Sequence, residues 1–492
     1  MLNYLKNEAN LTSTENGAAT CESTMSHCLD LFATIGAIRA ADEQKMIDRF
    51  IRAFAEDADA AMKILFFGRD VRGGLGERRV FRVIIKYLAN SHPDALRKNL
   101  VLIPEYGRFD DLVALLGTAC ENDALWIIRK QLEADLAPDA EVSLLAKWLP
   151  SVNASNDDTV RNAKHIARFL GMTDAQYRRT LVELRKKIRI IENNLREKDY
   201  SFDYSKQPSK AMFKYRKAFL RNDGERYNTF LESVMSGEKQ LHADTLAPYE
   251  IVRSGLNPSR WGFNSKLTKG DKAALNASWA ALPNFCDGRN ALAVVDTSGS
   301  MYAYDNALPA AVALSLGLYF GERNTGIFHH HFIEFSSRPQ LIEIKGQTFA
   351  DRLEYLCTFN EVADTNVEAV FDLILDAAVR NQVPQEDLPE TLYLISDMEF
   401  NCCVRNASLT NFENAKRKYA EHGYKLPQIV FWNVASHNSN QPVTKNEQGV
   451  ALVSGCTPRL FSMVASGELS PYAVMMEVLE SDRYAKISAG RM

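Results

Sequence analysis

Two hydrophobic periodicities divide the chain. From about residue 25 to 254, apolar positions recur at three- and four-residue spacing, as amphipathic helices require. Met46, Ile47, Phe50, Ile51 and Phe54 form one such stripe, and Ile64, Leu65, Phe81, Ile84, Ile85 and Leu88 continue it across a break. The same spacing predicts helices over roughly 109–116, 122–136, 141–148, 157–169 and 174–195, several opening on an Asp or Asn suited to capping. Helices joined by short loops with no sheet between them suggest an α-solenoid or a ring of helical hairpins, although no sharp repeat period is visible.

From about residue 289 the pattern changes. Strand-like runs at 291–296, 327–335, 341–344, 391–396, 428–435 and 450–453 alternate with helical patterns at 306–321, 349–357, 366–379 and 411–422, and another helix lies near the C-terminus. Such alternation predicts an open, mostly parallel, doubly wound α/β sheet. The expected organisation is a polar arm at 1–24, read as an extension or frayed terminus, an α-helical domain at 25–254, a connector at 255–288 and an α/β domain at 289–492. The connector is rich in Asn, Ser, Gly and Pro, with Trp261 and Trp279 as its expected anchors.

Composition refines this picture in one place. The 492 residues are 46% apolar and 24% charged, a folded mixture, and the formal net charge is only −4. Between Val160 and Arg221, however, 17 Lys or Arg face 6 Asp or Glu, so the remainder carries −15. Arg178, Arg179, Arg185, Lys186, Lys187 and Arg189 cluster along one predicted helix. Lys210, Lys214, Arg216, Lys217 and Arg221 follow, interleaved with Phe213, Tyr215 and Phe219. A charge run is often a solvated face, but like charges repel, and cations beside aromatics suit looped or single-stranded RNA.

A Gly-rich segment, Gly68 to Arg79, reads either as a helix-to-helix loop or as an anion-contact loop using Arg69, Arg72, Arg78 and Arg79. Its spacing fits neither a P-loop nor a dinucleotide fingerprint. Eight cysteines without a Cys-x-x-Cys pair, no apolar run of about 18 residues and no evident signal peptide lead to an expected cytoplasmic, reduced setting. Adjacent Cys402 and Cys403 read as free thiols, and His329, His330 and His331 as ordinary strand residues whose side chains alternate between faces.

The sharpest chemistry lies in Asp296-Thr297-Ser298-Gly299-Ser300, directly after the apolar run 291–295. An Asp and two Ser hydroxyls at a strand end supply oxygens for a hard cation such as Mg²⁺, which takes about six at roughly 2.0–2.1 Å and keeps some waters. Thr365 and Asp397 are later positions that supply further oxygens, with Asp364 and Thr348 as rivals for the threonine role. Ser298 interrupts an aspartic-protease motif and occupies the acid/base position of an aspartyl-phosphate phosphatase. No general base is evident beside the metal, so the sequence reads as that of a non-enzyme.

These elements together resemble a von Willebrand factor type A domain with a metal-ion-dependent adhesion site. The resemblance implies that Asp296, Ser298, Ser300, Thr365 and Asp397 hold Mg²⁺ directly or through water. With Thr14-Glu15-Asn16-Gly17-Ala18, the Gly-Arg loop and Pro208-Ser209-Lys210-Ala211-Met212, the whole chain is similar to the Ro (TROVE) family, which pairs HEAT-like helical repeats with such a domain. That resemblance implies binding of small non-coding or misfolded RNA by the helical domain, as a ribonucleoprotein. The alternative is a protein-interaction module in which a partner supplies a carboxylate to the metal and the helical domain is a scaffold.

Overall fold

The computed structural model describes residues 9–188, 190–259, 262–286, 288–303, 306–335, 338–358, 365–401, 410–465 and 469–490. Trp261, Arg189, Asp364, Cys402 and Cys403 lie outside them. The N-terminal segment forms an antiparallel hairpin of β1 (Leu11–Ser13) and β2 (Ala19–Cys21). Ala18 is 2% exposed and belongs to the core of the α/β region, so this part of the arm is docked, not frayed.

Helices follow in the predicted order, among them Glu43–Glu56, Ala58–Arg69, Arg78–Ser91, Glu121–Leu136 and Asp157–Phe169. The expected helix 174–195 is interrupted. Helix Asp174–Lys187 ends, and a second begins at Ile191, with the Asn193 amide donating to Arg185 O (2.6 Å) and Ile188 O (3.1 Å). A side-chain amide thus replaces the backbone donors that a continuous helix would have used.

The expected connector carries structure of its own. β3 (Asn257–Ser259) pairs with β4 (Gly262–Asn264), and helix Lys269–Ala280 follows. Trp279 at its end is buried, stacks on Phe349 with ring centroids 4.3 Å apart, and donates to Glu322 at 2.7 Å.

The second half is a six-stranded mixed sheet of β5 (Ala291–Asp296), β6 (His331–Phe335), β7 (Gln340–Glu343), β8 (Thr391–Ser396), β9 (Gln428–Asn433) and β10 (Val450–Ser454). Its order is β10-β9-β8-β5-β6-β7, parallel throughout except for the antiparallel edge strand β7. The period of two in each strand sorts side chains between two cores. Ala293, Val295, Tyr393, Ile395, Val430 and Trp432 share one core with the helices of the N-terminal half, and Leu292, Val294, Leu392, Leu394, Ile429 and Phe431 share another with helices Val367–Asn381 and Asn411–Glu421. Helix Leu308–Arg323 is buried along nearly its whole length because it lies between the sheet and the N-terminal helices.

Of the three histidines, only His331 lies in a strand. His330 adopts a left-handed φ of 60° just before β6, so strand alternation does not describe the group.

Candidate cation site and basic surface

The strand order locates the site. The chain leaves β5 through helix Leu308–Arg323 on one face to reach β6, whereas β8, on the other side of β5, is reached through helix Val367–Asn381 on the opposite face. Connections that diverge in this way open a crevice at the carboxyl ends of the two central strands. Asp296 ends β5, and Asp397 directly follows β8.

Both carboxylates are buried, Asp296 at 0% and Asp397 at 2% exposure. Asp296 Oδ1 accepts the Ser298 N–H at 2.8 Å, and its Oδ2 accepts the Ser396 hydroxyl. Ser298 Oγ and Ser300 Oγ lie 3.1 Å apart. Asp397 Oδ1 accepts the Glu399 N–H at 3.2 Å, while Oδ2 is buried with no hydrogen-bond donor among the described residues, His437 Nε2 standing at 3.9 Å. Met398, between Asp397 and Glu399, takes a left-handed φ of 69° and donates its N–H to Ser396 Oγ at 3.0 Å. That conformation is disfavoured for a side chain of its size and is retained here at the mouth of the crevice.

Burial and the neighbouring Asp397 charge push Asp296 up to about 7, and burial likewise pushes Asp397 upward. Two buried acids side by side, one with an oxygen that no described residue donates to, fit a missing positive charge. Two adjacent hydroxyls make the set oxygen-only, as Mg²⁺ prefers. Among the described residues no group of three or more His, Cys, Asp and Glu is placed to hold a metal.

Thr365 is 2% exposed, and its carbonyl accepts the Asn401 N–H at 2.9 Å, which ties its loop to the one after β8. Its rival Thr348 is committed elsewhere. Thr348 caps helix Phe349–Leu356, its hydroxyl bonded to Asp351 at 2.8 Å. Sequence reasoning missed Ser396, Glu399, His437 and the Thr297 hydroxyl bond to Glu334 (2.9 Å). Only Ser396, the last residue of an apolar strand before an Asp, carried a legible signal.

The basic residues divide into two classes. Arg69 is 1% exposed and pairs with Asp111, with Nε 2.8 Å from Oδ2. Arg185 donates to Ala146 O, Leu149 O and Ser151 Oγ, and Arg216 is 9% exposed with its guanidinium 4.2 Å from the Phe213 ring centroid. Arg69 and Arg185 hold helices together, Arg216 folds back on its own helix, and all three are withdrawn from the expected RNA contacts. Arg72, Arg78 and Arg79 are exposed but engage Glu105 O, Asp110 and the carbonyls of Arg39 and Ala41. The Gly-rich loop itself packs on the C-terminal segment, where Asp70 binds Arg483 and Tyr484. It is therefore a packing loop, and the anion-contact reading of Arg69 fails.

Arg178, Arg179, Lys186, Lys187, Lys214, Lys217 and Arg221 are exposed with no carboxylate of the described residues within 4.0 Å, and Lys210 is exposed but paired with Glu250 at 2.8 Å. On helix Ser209–Asn222, Lys210, Lys214, Lys217 and Arg221 fall at i, i+4, i+7 and i+11, a single stripe about 16 Å long.

A family model described as Domain of unknown function (DUF2828) matches residues 14–132 and 125–284, and one described as Domain of unknown function (DUF7788) matches residues 290–482. An uncharacterized protein of Acanthamoeba polyphaga mimivirus is 28% identical over 96% of this chain and 88% of its own length. The crystal structure of the Deinococcus radiodurans RO (RSR) protein aligns with 93% of this chain and 99% of that chain at 15% identity and a TM-score of 0.39. No helix among the described residues is long and apolar enough to cross a membrane.

Proposed function

The chain belongs to the family described as Domain of unknown function (DUF2828), and we propose that it is a binding protein whose α/β half is a von Willebrand factor A-type domain. In this reading Asp296, Ser298, Ser300, Thr365 and Asp397 hold Mg²⁺, and the cation accepts an oxygen ligand from a partner. The observation that carries the reading is the pair of buried acids at the switch point, with no described residue in hydrogen-bonding geometry on Asp397 Oδ2. The Ser298 and Ser300 hydroxyls lie against one another and the Ser396 hydroxyl donates to Asp296, an arrangement for holding a cation and not for activating a nucleophile. When bound, the cation would supply the charge that the two acids lack. Calorimetric titration with Mg²⁺ or Mn²⁺ tests this, with saturable binding expected for the wild type and none for Asp296→Asn. Equal binding by both proteins would refute it.

A second reading, RNA binding by the helical half, is favoured by the Lys210–Lys214–Lys217–Arg221 stripe. Glu250 neutralises Lys210, but holding Lys214, Lys217 and Arg221 on the same face costs repulsion that an anionic backbone would relieve. Charge reversal of Lys217 and Arg221 together should weaken binding to a single-stranded oligonucleotide and flatten its log–log salt slope by about 1.4. An unchanged slope would sink this reading while leaving the cation site untouched.

A further inference from the structure

The N-terminal hairpin lies across the loops that carry the cation ligands. Thr14 Oγ1 donates to Phe400 O at 2.6 Å, Asn16 Nδ2 donates to Glu399 O at 2.6 Å, and the Glu15 N–H donates to Glu399 Oε2 at 2.9 Å. Gly17 bridges to Asn401, whose own N–H holds the Thr365 carbonyl. Farther along the hairpin, Cys21 and Gln441 exchange backbone hydrogen bonds at 2.9 and 2.8 Å. One short segment therefore ties together the loop after β8, the loop after β9 and, through Asn401, the Thr365 loop.

The chemistry at the crossing is unusual. The Asn438 amide lies 3.2 Å from both Glu15 Oε1 and Glu399 Oε1, so a single neutral group joins two carboxylates beside Asp397. Glu399 is only 5% exposed. With Asp296 and Asp397, these side chains bring four acids to one end of the sheet, where His437 Nε2 stands 3.9 Å from Asp397. Like charges so placed repel unless a cation sits among them. Mg²⁺ keeps part of its hydration shell, and coordinated waters donate hydrogen bonds outward, so acceptors just beyond the direct ligands are what such a cation needs.

We propose that the N-terminal hairpin is a built part of the cation site, with Glu15 and Glu399, joined through Asn438, accepting hydrogen bonds from the waters of a hydrated divalent cation. The inference rests on the cation reading given above. It makes hairpin docking and cation binding mutually dependent, because whatever one adds to the other's affinity is returned in full.

The test uses the full-length protein and Mn²⁺, with the affinity of the wild type, Glu15→Gln, Thr14→Val and Asp296→Asn measured by titration. Removing the Glu15 charge is expected to weaken Mn²⁺ binding ~5-fold, the effect of one unit charge on a divalent ion across several ångströms of largely aqueous medium. Thr14→Val, which deletes the hydroxyl bonds to Phe400 O and from the Ala18 N–H, is expected to weaken it comparably without removing any charge. In the reciprocal measurement, a Glu-specific protease acts on the exposed bond after Glu15, and release of residues 1–15 is followed by mass spectrometry. Mn²⁺ should slow that cleavage several-fold in the wild type and leave it unchanged in Asp296→Asn. If Asp296→Asn loses Mn²⁺ while Glu15→Gln and Thr14→Val bind as the wild type does and cleavage ignores the metal, the hairpin proposal is overturned and the cation site stands. If Asp296→Asn binds Mn²⁺ normally, both fall.

Discussion

Replacing Asp296 by Asn should make the metal-free protein more stable at neutral pH. The folded protein holds the Asp296 proton up to about 7, whereas the unfolded chain releases it near 3.8, so between these values the folded state binds more protons. Stability contributed by this group is therefore fully present below about pH 4, falls as pH rises towards 7 and is flat beyond it. About three pH units correspond to about 4 kcal/mol at most, lost by pH 8. For a unit the size of the α/β half that is a decline of ~10 °C in melting temperature. Asn carries no proton to lose, so the difference between wild-type and Asp296→Asn melting curves in EDTA should grow with pH and then level off. Excess Mg²⁺ should close most of that difference at pH 8, because the cation replaces the proton as the neutralising charge, and should do nothing for the variant. Thermal melts at pH 5 to 8, with EDTA or with Mg²⁺, supply the measurement. A wild type that exceeds the variant in EDTA at pH 8, or Mg²⁺ that stabilises both equally, would show the reasoning to be wrong.

Two further expectations concern packing. Arg69→Ala leaves Asp111, which is 0% exposed, with only Arg82 as its guanidinium partner, and should cost about 3–5 kcal/mol in urea unfolding. A wild-type midpoint would return Arg69 to the list of surface contacts. Gly36→Ala would place a methyl 2.5 Å from the Ser454 carbonyl oxygen, where the first helical segment meets β10, and should destabilise by about 1–3 kcal/mol. Unaltered stability would mean that this junction yields more readily than its backbone contact implies.

The α/β half was legible because both its strands and its Asp-x-Ser-x-Ser motif are local. The apolar runs at 291–296 and 391–396 coincide with β5 and β8, and Asp296 and Asp397 follow from where those runs stop. Their convergence needed only the alternation of strands and helices. What escaped the sequence reading depends on pairing across long distances. Thr14 to Ala18 looks polar and frayed until Phe400, Glu399 and Asn401 are beside it. The basic helix appears as a uniform charge run, because the partners that withdraw Arg185 are carbonyls at 146 and 149, and no side-chain pattern announces a carbonyl. The interruption near residue 188 was equally hidden, since the apolar stripe continues through it and the Asn193 amide carries the difference.

The contacts between residues near 14 and those near 400 and 441 also set an order of events during synthesis. When the hairpin segment leaves the ribosome its docking surface does not yet exist, and more than 400 residues must follow before Gln441 is available to pair with Cys21. At about 5–20 residues per second that is a wait of roughly 20–80 s, during which the N-terminal helices can pack but the crevice has no cover. The hairpin is thus made before the loops it docks on and settles only after them, so assembly of the loop cluster reports that synthesis has passed Gln441.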